Sequence, residues 1–384
     1  MSKQNVPELR FPEFSGEWNS VSIQDLYEES YGGGTPKTSV KEYWNGNIPW
    51  IQSSDLTMDS LKTVNVRKHI SIQAISNSAT KLIPKNSIAI VTRVGVGKLA
   101  YIDHDFATSQ DFISLSGVKS DVNFTLYTLY KLLKRESSAL QGTSIKGITK
   151  KEFINKTVFV PELDEQKKIG DLLNKVDRLI ELEEKKLELL EEQKKGYMQK
   201  IFSQELRFKD ENGNDYPDWE ERQLKEKSTY ESSKISLSQV MEYEDGPYPV
   251  YDANKVIKYI ETYDQKRAYI SIIKDGAGVG RIVLCPSKSS IIGTMGYIKP
   301  VTIEPYYLYL QLQTINYSKY MVGSTIPHIY YKDYSKEKIK ISSIREQKKI
   351  SEFFKYLNNR VELIDRKISQ LKIRKKALLQ KMFV

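Results

Sequence analysis

EQKKIGDLLNKVDRLIELEEKKLELLEEQKKGYMQKIF at residues 165–202 and EQKKISEFFKYLNNRVELIDRKISQLKIRKKALLQKMF at 346–383 are the same helix written twice. The two stretches align without a gap at an offset of 181, with 14 identities in 38 pairs and conservative pairs such as Asp171/Glu352, Lys185/Arg366 and Leu187/Ile368. Both carry one apolar frame in alternating steps of four and three. In the first copy Ile169, Leu173, Val176, Ile180, Leu187, Leu190, Tyr197 and Ile201 hold it, broken by Glu183 and Lys194. In the second, Ile350, Phe354, Leu357, Val361, Ile364, Ile368, Leu371, Leu378 and Met382 hold it, broken by Lys375. A frame kept for five heptads predicts a long helix with a coiled-coil seam.

Charge selects the partner. Segment 164–203 has 9 basic and 10 acidic residues, whereas 345–384 has 12 basic and 4 acidic. A self-pair of the second helix repels, and the mixed pair within one chain is less opposed. A parallel, in-register pair would also bury Lys194 against Lys375, which is costly. The expectation is an antiparallel pair inside the chain.

The duplication reaches past the helices. ELRF occurs at 8–11 and 205–208, followed by Trp18 and Trp219, and GVGK at 95–98 returns as GVGR at 278–281. Gly142, Ile145, Ile148 and Lys151 match Gly323, Ile326, Ile329 and Lys332 at the helix offset. The unit is a globular head followed by a long helix, present twice. Strand-like runs such as NSIAIVTR (86–93) and KRAYISII (266–273) mix with helical runs such as FTLYTLYKLLKRES (124–137) and EPYYLYLQLQTI (304–315). The fold class expected is α+β (mixed α/β), with pseudo-twofold symmetry. The expected domains are a first head at 1–162, a central helix at 163–203, a second head at 204–344 and a C-terminal helix at 345–384. Seventeen of the 25 tyrosines fall in the second head, where core or half-buried strand positions are their default.

The 384 residues exceed one ordinary core, and the formal net charge of +10 favours a negatively charged partner such as nucleic acid. No apolar run approaches the roughly 20 residues of a spanning helix, and no secretory pattern opens the chain. The single cysteine, Cys285, excludes an internal disulfide and a thiolate-rich zinc site. Together these point to a cytoplasmic protein. The three histidines, His69, His104 and His328, lack ligand spacing.

Reactive motifs are missing. RVGVGK (93–98) imitates a phosphate loop, but Leu99 follows the lysine and Thr92 stands where the first glycine belongs, so a tight turn is the better reading. No proline has a proline neighbour, which excludes the Asn/Asp-Pro-Pro-aromatic segment of an adenine methyltransferase. Pro217-Asp218 with Asp264-Gln265-Lys266 fits a loose nuclease pattern, yet the first copy reads Ser15-Gly16-Glu17-Trp18 there, so the match is accidental. The expectation is a non-enzymatic chain with no catalytic residue and no metal site.

GGGTPKTSVKEYWNGNIPWIQSSDL (32–56), GVGK, ATSQDFISL (107–115) and PELDEQKKIGDLLNKVDRLI before the first long helix resemble the specificity subunits of type I restriction–modification systems. YPVYDANK (248–255), DGAGVGR (275–281), GTMGYI (293–298) and IREQKKISEFF (344–354) extend the resemblance through the second copy, which lacks the GTP and YW…IPW strings. The resemblance implies two target-recognition domains, each reading half of a split double-stranded DNA target, on two antiparallel spacer helices. It implies two methyltransferase (M) subunits that use S-adenosylmethionine on adenine N6, and two motor-nuclease (R) subunits that use ATP and Mg, with no cofactor on this chain. A pseudo-twofold suits half-sites about 34 Å, or 10 base pairs, apart. The alternative is a stand-alone duplicated coiled-coil scaffold binding DNA or protein.

Polar residues beside these strings are the candidate DNA contacts. Arg93, Lys98 and Arg281 flank the glycine turns, where cations and backbone amides suit phosphates. Lys37, Gln52, Ser53, Ser54, Ser109, Gln110 and Lys146 complete the first head's set. Asp252, Asn254, Lys255, Thr294 and His328 are the second head's candidates for reading bases.

Overall fold

A computed structural model describes residues 5–140, 147–253 and 255–384 of the chain. It divides into two compact units, residues 1–186 with 364–384 and residues 187–363.

In the first unit β1 (Asn19–Ser22) pairs with β9 (Thr157–Val160) as a two-stranded ribbon. β2 (Glu29–Gly32), β8 (Phe112–Ser116), β5 (Ser87–Val91) and β6 (Leu99–Ile102) form an antiparallel sheet in that order. A third, mixed sheet holds β3 (Ile48–Ile51) between antiparallel β4 (Lys68–Ile70) and parallel β7 (Ala107–Thr108). β5 is buried along its whole length, as the apolar run Ile88–Val91 in an interior strand should be. Its side chains alternate between two cores. Ile88 and Ile90 face a cluster with Phe124, Tyr127 and Leu133 of the helix Val122–Leu140, and Ala89 and Val91 face Ile51, Ile83 and Phe106.

The second unit repeats all three sheets. β10 (Glu220–Gln223) pairs with β18 (Lys338–Ile341). β11 (Ser228–Ser232), β17 (Met295–Pro300), β14 (Tyr269–Ile273) and β15 (Ile282–Cys285) take the places of the four-stranded sheet. β12 (Asp245–Asp252) lies between antiparallel β13 (Lys255–Ile260) and parallel β16 (Ser290–Ile291). Of the second head's 17 tyrosines six are core, Tyr269, Tyr297, Tyr306, Tyr307, Tyr317 and Tyr334, and eight more are half-buried. Cys285 is buried too, and burial pushes its thiol pKa up.

The two long helices are Leu163–Ser203 and Ile344–Lys381. Each unit contains one half of each, and within each unit the halves run antiparallel. In the first unit Asp177 meets Lys375 at 2.6 Å and Glu183 meets Lys367 at 2.6 Å, so one chain number falls as the other rises. In the second unit Tyr197 packs edge-on against Phe353, centroids 5.1 Å apart. The seam residues join the head cores: Ile169, Leu173, Val176 and Ile180 in the first, Ile350, Phe354 and Leu357 in the second. Ile364 and Ile368 are buried, whereas Leu187, Leu190, Val361 and Leu371 are half-buried. Two of the three interruptions are explained by pairing. Glu183 has Lys367, and Lys375 sits over the rings of Tyr127 and Tyr130 while its ammonium meets Asp177. Lys194 is half-buried, and burial lowers its pKa.

The repeated ELRF and EQ strings lock together. Arg10 donates Nε and Nη2 to the carboxylate of Glu165 at 2.8 and 2.7 Å, and Arg207 does the same to Glu346 at 3.4 and 3.1 Å. Both glutamates are buried. Gln166 accepts from Asp121 N–H and donates to Pro161 O, as Gln347 accepts from Glu304 N–H and donates to Ser342 O. Each ELRF segment is also a strap across the end of a long helix. Leu206 N–H donates to Lys200 O at 3.0 Å just after the central helix, and Leu9 N–H donates to Lys381 O at 2.8 Å, although the two lie far apart in the chain. A chain permuted to begin at Glu205, with Val384 joined to Glu8 through one glycine, should therefore fold. The glycine takes the place of Gln204, whose φ is +69°, a left-handed conformation that glycine adopts freely. We expect its melting temperature within a few degrees of the parent (a change of ~1 kcal/mol or less). A thermal scan checks it, and a chain that fails to fold counts against the strap's role.

Candidate nucleic-acid interface

In the first head four loops meet at one edge. β5 runs into the glycine turn and returns as β6, closed by Val91 N–H donating to Lys98 O at 2.9 Å. Gly95 has φ +91°, and a Cβ there would stand 2.6 Å from Ser53 Oγ. The close approach is used: Ser53 Oγ donates to Val94 O at 2.6 Å, and Lys98 Nζ donates to Ser53 O at 2.8 Å. The turn carrying Ser53 is fixed in turn by the Gln52 N–H, which donates to buried Asp55 at 2.9 Å. The segment before β8 arrives beside them, with Thr92 N–H donating to Asp111 O at 2.8 Å and Ser109 N–H to Ile51 O at 2.9 Å. Gly33 passes so close to Ser109 O that a Cβ would lie 1.8 Å from it, which brings Thr35 Oγ1 within 3.2 Å of Gln110 Oε1. A concavity of about 580 Å³ opens here, lined among others by Thr92, Arg93, Gln110, Thr149 and Lys150. Arg93 and Gln110 are exposed on it. Its chemistry is hydrogen bonding and positive charge, without a nucleophile beside a base.

The second head builds the same edge. Ile273 N–H donates to Arg281 O, Lys274 N–H to Thr294 O, Ile292 N–H to Tyr251 O, and Ile329 N–H to Lys274 O. The last repeats Ile148 N–H to Thr92 O. These bonds align Gln52 with Asp252, Thr92 with Lys274, Arg93 with Asp275, Lys98 with Arg281, Asp111 with Thr294, and Gly147 with His328. The turn is one residue longer in the second copy. Asp275 receives Lys274 Nζ on Oδ2 at 2.7 Å and faces His328 Nδ1 from Oδ1 at 2.8 Å.

The chain therefore has two copies of one polar, cation-bearing edge. The family model for the type I restriction modification DNA specificity domain matches it twice, over residues 15–192 and 216–373. The chain belongs to this family. It is similar to the MjaVIII and MjaIX specificity subunits of Methanocaldococcus jannaschii. The first is 26% identical over 97% of this chain and 92% of that protein, the second 25% over 83% and 81%. The EcoR124I/EcoR124II specificity subunit of Escherichia coli is 32% identical over 51% of this chain and 50% of its own. In fold it resembles the crystal structure of the type I S subunit of M. genitalium, with a TM-score of 0.69 and 18% identity, covering 99% of both chains. A DNA-target specificity role in restriction–modification follows from the family.

For this specificity chain the edge sorts the sequence-derived candidates. Gln52, Ser53, Arg93, Lys98 and Gln110 come together in the first head. Asp252, Arg281, Thr294 and His328 take matching places in the second, with Lys255 exposed opposite Asp252 in the β12–β13 hairpin. Ser54 is exposed on the Ser53 turn, and Lys37 is exposed where its carbonyl accepts from Trp44 Nε1 at 3.2 Å. Ser109 is a correction. Its side chain is buried and reaches Asp111 Oδ2 at 3.4 Å, so it supports the turn instead of facing a ligand. Lys98 spends one ammonium hydrogen bond on Ser53 O and is only half-exposed, so clamping the turn is its first role. Lys146 and Asn254 lie outside the described residues, as do Gly142 and Ile145. Sequence reasoning missed Thr149, Lys150, Lys274 and Asp275. The extra residue of the second turn hides the match of Asp275 to Arg93, because GVGK and GVGR align only beyond it. The nuclease-like pair is structural: Asp264 accepts from Tyr297 Oη at 2.6 Å and Pro217 O accepts from Arg207.

Gln110→Ala removes an exposed amide while leaving the backbone bonds of its turn. It should relax one position in one half-site, about 1–3 kcal/mol of discrimination, and leave the other half untouched. Mapping the methylated adenine motif checks this, and an unchanged motif removes Gln110 from the reading set.

Proposed function

We propose that this chain is the specificity subunit of a type I restriction–modification complex, recognising a bipartite double-stranded DNA target and supplying no reacting group itself. The observation that carries the reading is the duplicated edge, at which four matching backbone hydrogen bonds set six equivalent positions in both heads while their side chains differ. Equal scaffolds suit a common way of holding DNA, and unlike side chains suit two unlike half-sites. Lysines and arginines would position the duplex through its phosphates, giving strongly salt-dependent binding.

Methylation of adenine N6 and ATP-dependent cleavage then belong to partners. Two M subunits would carry S-adenosylmethionine, and two R subunits would carry ATP and Mg. The place of work is the cytoplasm, on DNA. Among the described residues no helix is long and apolar enough to cross a membrane, and no group of three potential ligands gathers for a metal ion. Mixing the chain with adenine methyltransferase subunits of type I systems tests the assignment. The expected product is one copy of this chain with two methyltransferases, modifying adenine in a split target. A lone homodimer that ignores the methyltransferase would instead support the stand-alone scaffold.

A further inference from the structure

We infer that Arg93 and Asp275, which occupy one and the same place in the two heads, are half-site specificity determinants that each read a G·C pair in the major groove, Arg93 through the acceptors of guanine in one half-site and Asp275 through the N4 amino group of cytosine in the other. The inference rests on the DNA-reading function above and deepens it to two residues.

The placement is fixed by backbone bonds. Each residue directly follows one whose N–H donates across to the segment before the next sheet strand and whose carbonyl accepts from Ile148 or Ile329. Each opens the glycine turn at the edge of its head. Arg93 is exposed, with no hydrogen-bond or ion-pair partner among the described residues. Its fork of donors matches the O6 and N7 acceptors of guanine.

Asp275 is built differently. Its side chain keeps 35% of its exposure, and both oxygens are held, one by Lys274 and the other by His328. Its N–H donates to Thr294 O at 3.3 Å, and the next N–H donates to Pro327 O at 3.0 Å. Burial alone would raise its pKa, but the bonds to Lys274 and His328 outweigh that and hold it below the usual carboxylate value. The group is thus an ionised, positioned acceptor with lone pairs left over. Lys274 and His328 offset the charge of the acid, and its remaining lone pairs accept only from a donor, which in the major groove is an exocyclic amino group. Adenine sets the N7 acceptor beside its amino group and so opposes a carboxylate. Cytosine has only a C–H on that side, and it is the better fit.

The test is adenine-methylation mapping in cells that carry this chain with its methyltransferase, comparing the parent with Arg93→Ala, Asp275→Ala and His328→Ala. The parent should give a split motif; if it does not, the DNA-reading function fails and this inference with it. Arg93→Ala should relax one G·C position in one half-site, and Asp275→Ala one G·C position in the other, each by tenfold to a hundredfold, on the order expected for one base contact. His328→Ala removes one of the two groups that hold the carboxylate and should relax the same position less than Asp275→Ala does. An unchanged motif, relaxation at an A·T pair, or an equal or larger loss at that position in His328→Ala than in Asp275→Ala overturns the assignment while the split motif of the parent stands. Should the alanine chain not fold, Asp275→Asn keeps the shape and replaces an acceptor oxygen by an amide donor. It should then admit adenine at that position, and continued rejection of adenine overturns the inference.

Discussion

Replacing Arg10 by methionine should destabilise the first head by about 3 kcal/mol, close to the range for stripping one partner from a buried ion pair. Glu165 is only 1% exposed and takes both of its short side-chain bonds from Arg10. Without them a carboxylate stays buried with little but the positive end of its own helix, worth up to ~1 kcal/mol, to balance it. Arg207→Met should cost less. The Arg207 bonds to Glu346 are longer, at 3.4 and 3.1 Å, and Trp219 Nε1 still donates to that carboxylate at 2.8 Å. Trp18 Nε1, the counterpart in the first head, has no partner among the described residues. The double variant Arg10→Met with Glu165→Met should recover most of the loss, since no charge is left stranded. Thermal unfolding of the three chains decides it. Equal losses for Arg10→Met and Arg207→Met, or no recovery in the double variant, would contradict the lock.

Inserting four residues into each long helix, after Lys186 and after Leu363, should widen the gap in the target while leaving both half-sites unaltered. Four residues add about 6 Å of helix, equivalent to one or two base pairs at about 3.4 Å each. The insertion must be made in both helices, because antiparallel partners lengthened unequally lose their register. Asp177 with Lys375 and Glu183 with Lys367 lie on the first-unit side of both insertion points and are expected to survive. A motif with the old gap, or with altered half-sites, would show that the helices do not set the spacing.

The helices were legible because coiled-coil packing writes its period directly into residue type. Lys375 looked like a fault in that period, and only the fold supplies Asp177, Tyr127 and Tyr130 as its company. The ELRF and EQKKI repeats were visible as strings, but that one contributes the arginine and the other the glutamate of a single buried pair depends on long-range folding. The sheets were legible mainly at β5 and β14, the largely apolar interior strands of the four-stranded sheets. The three-stranded sheets diverged: the central strand β3 has four residues, whereas its counterpart β12 has eight with register shifts at Asp245/Tyr248 and Val250/Tyr251. At the candidate site, polar type alone misplaced Ser109, a buried hydroxyl that reads on paper like its exposed neighbour Gln110. It also passed over Asp275, since an acid is not sought on a DNA-binding edge until the equivalent arginine is seen in the other head.

The central claim is that one chain reads sequence at two places with two unlike edges. Single-molecule sequencing of methylated adenines, from cells carrying this chain and its methyltransferase, tests it most directly. The account predicts two short, dissimilar half-sites separated by a constant number of unread positions. One continuous motif, or two halves at a variable distance, would contradict it.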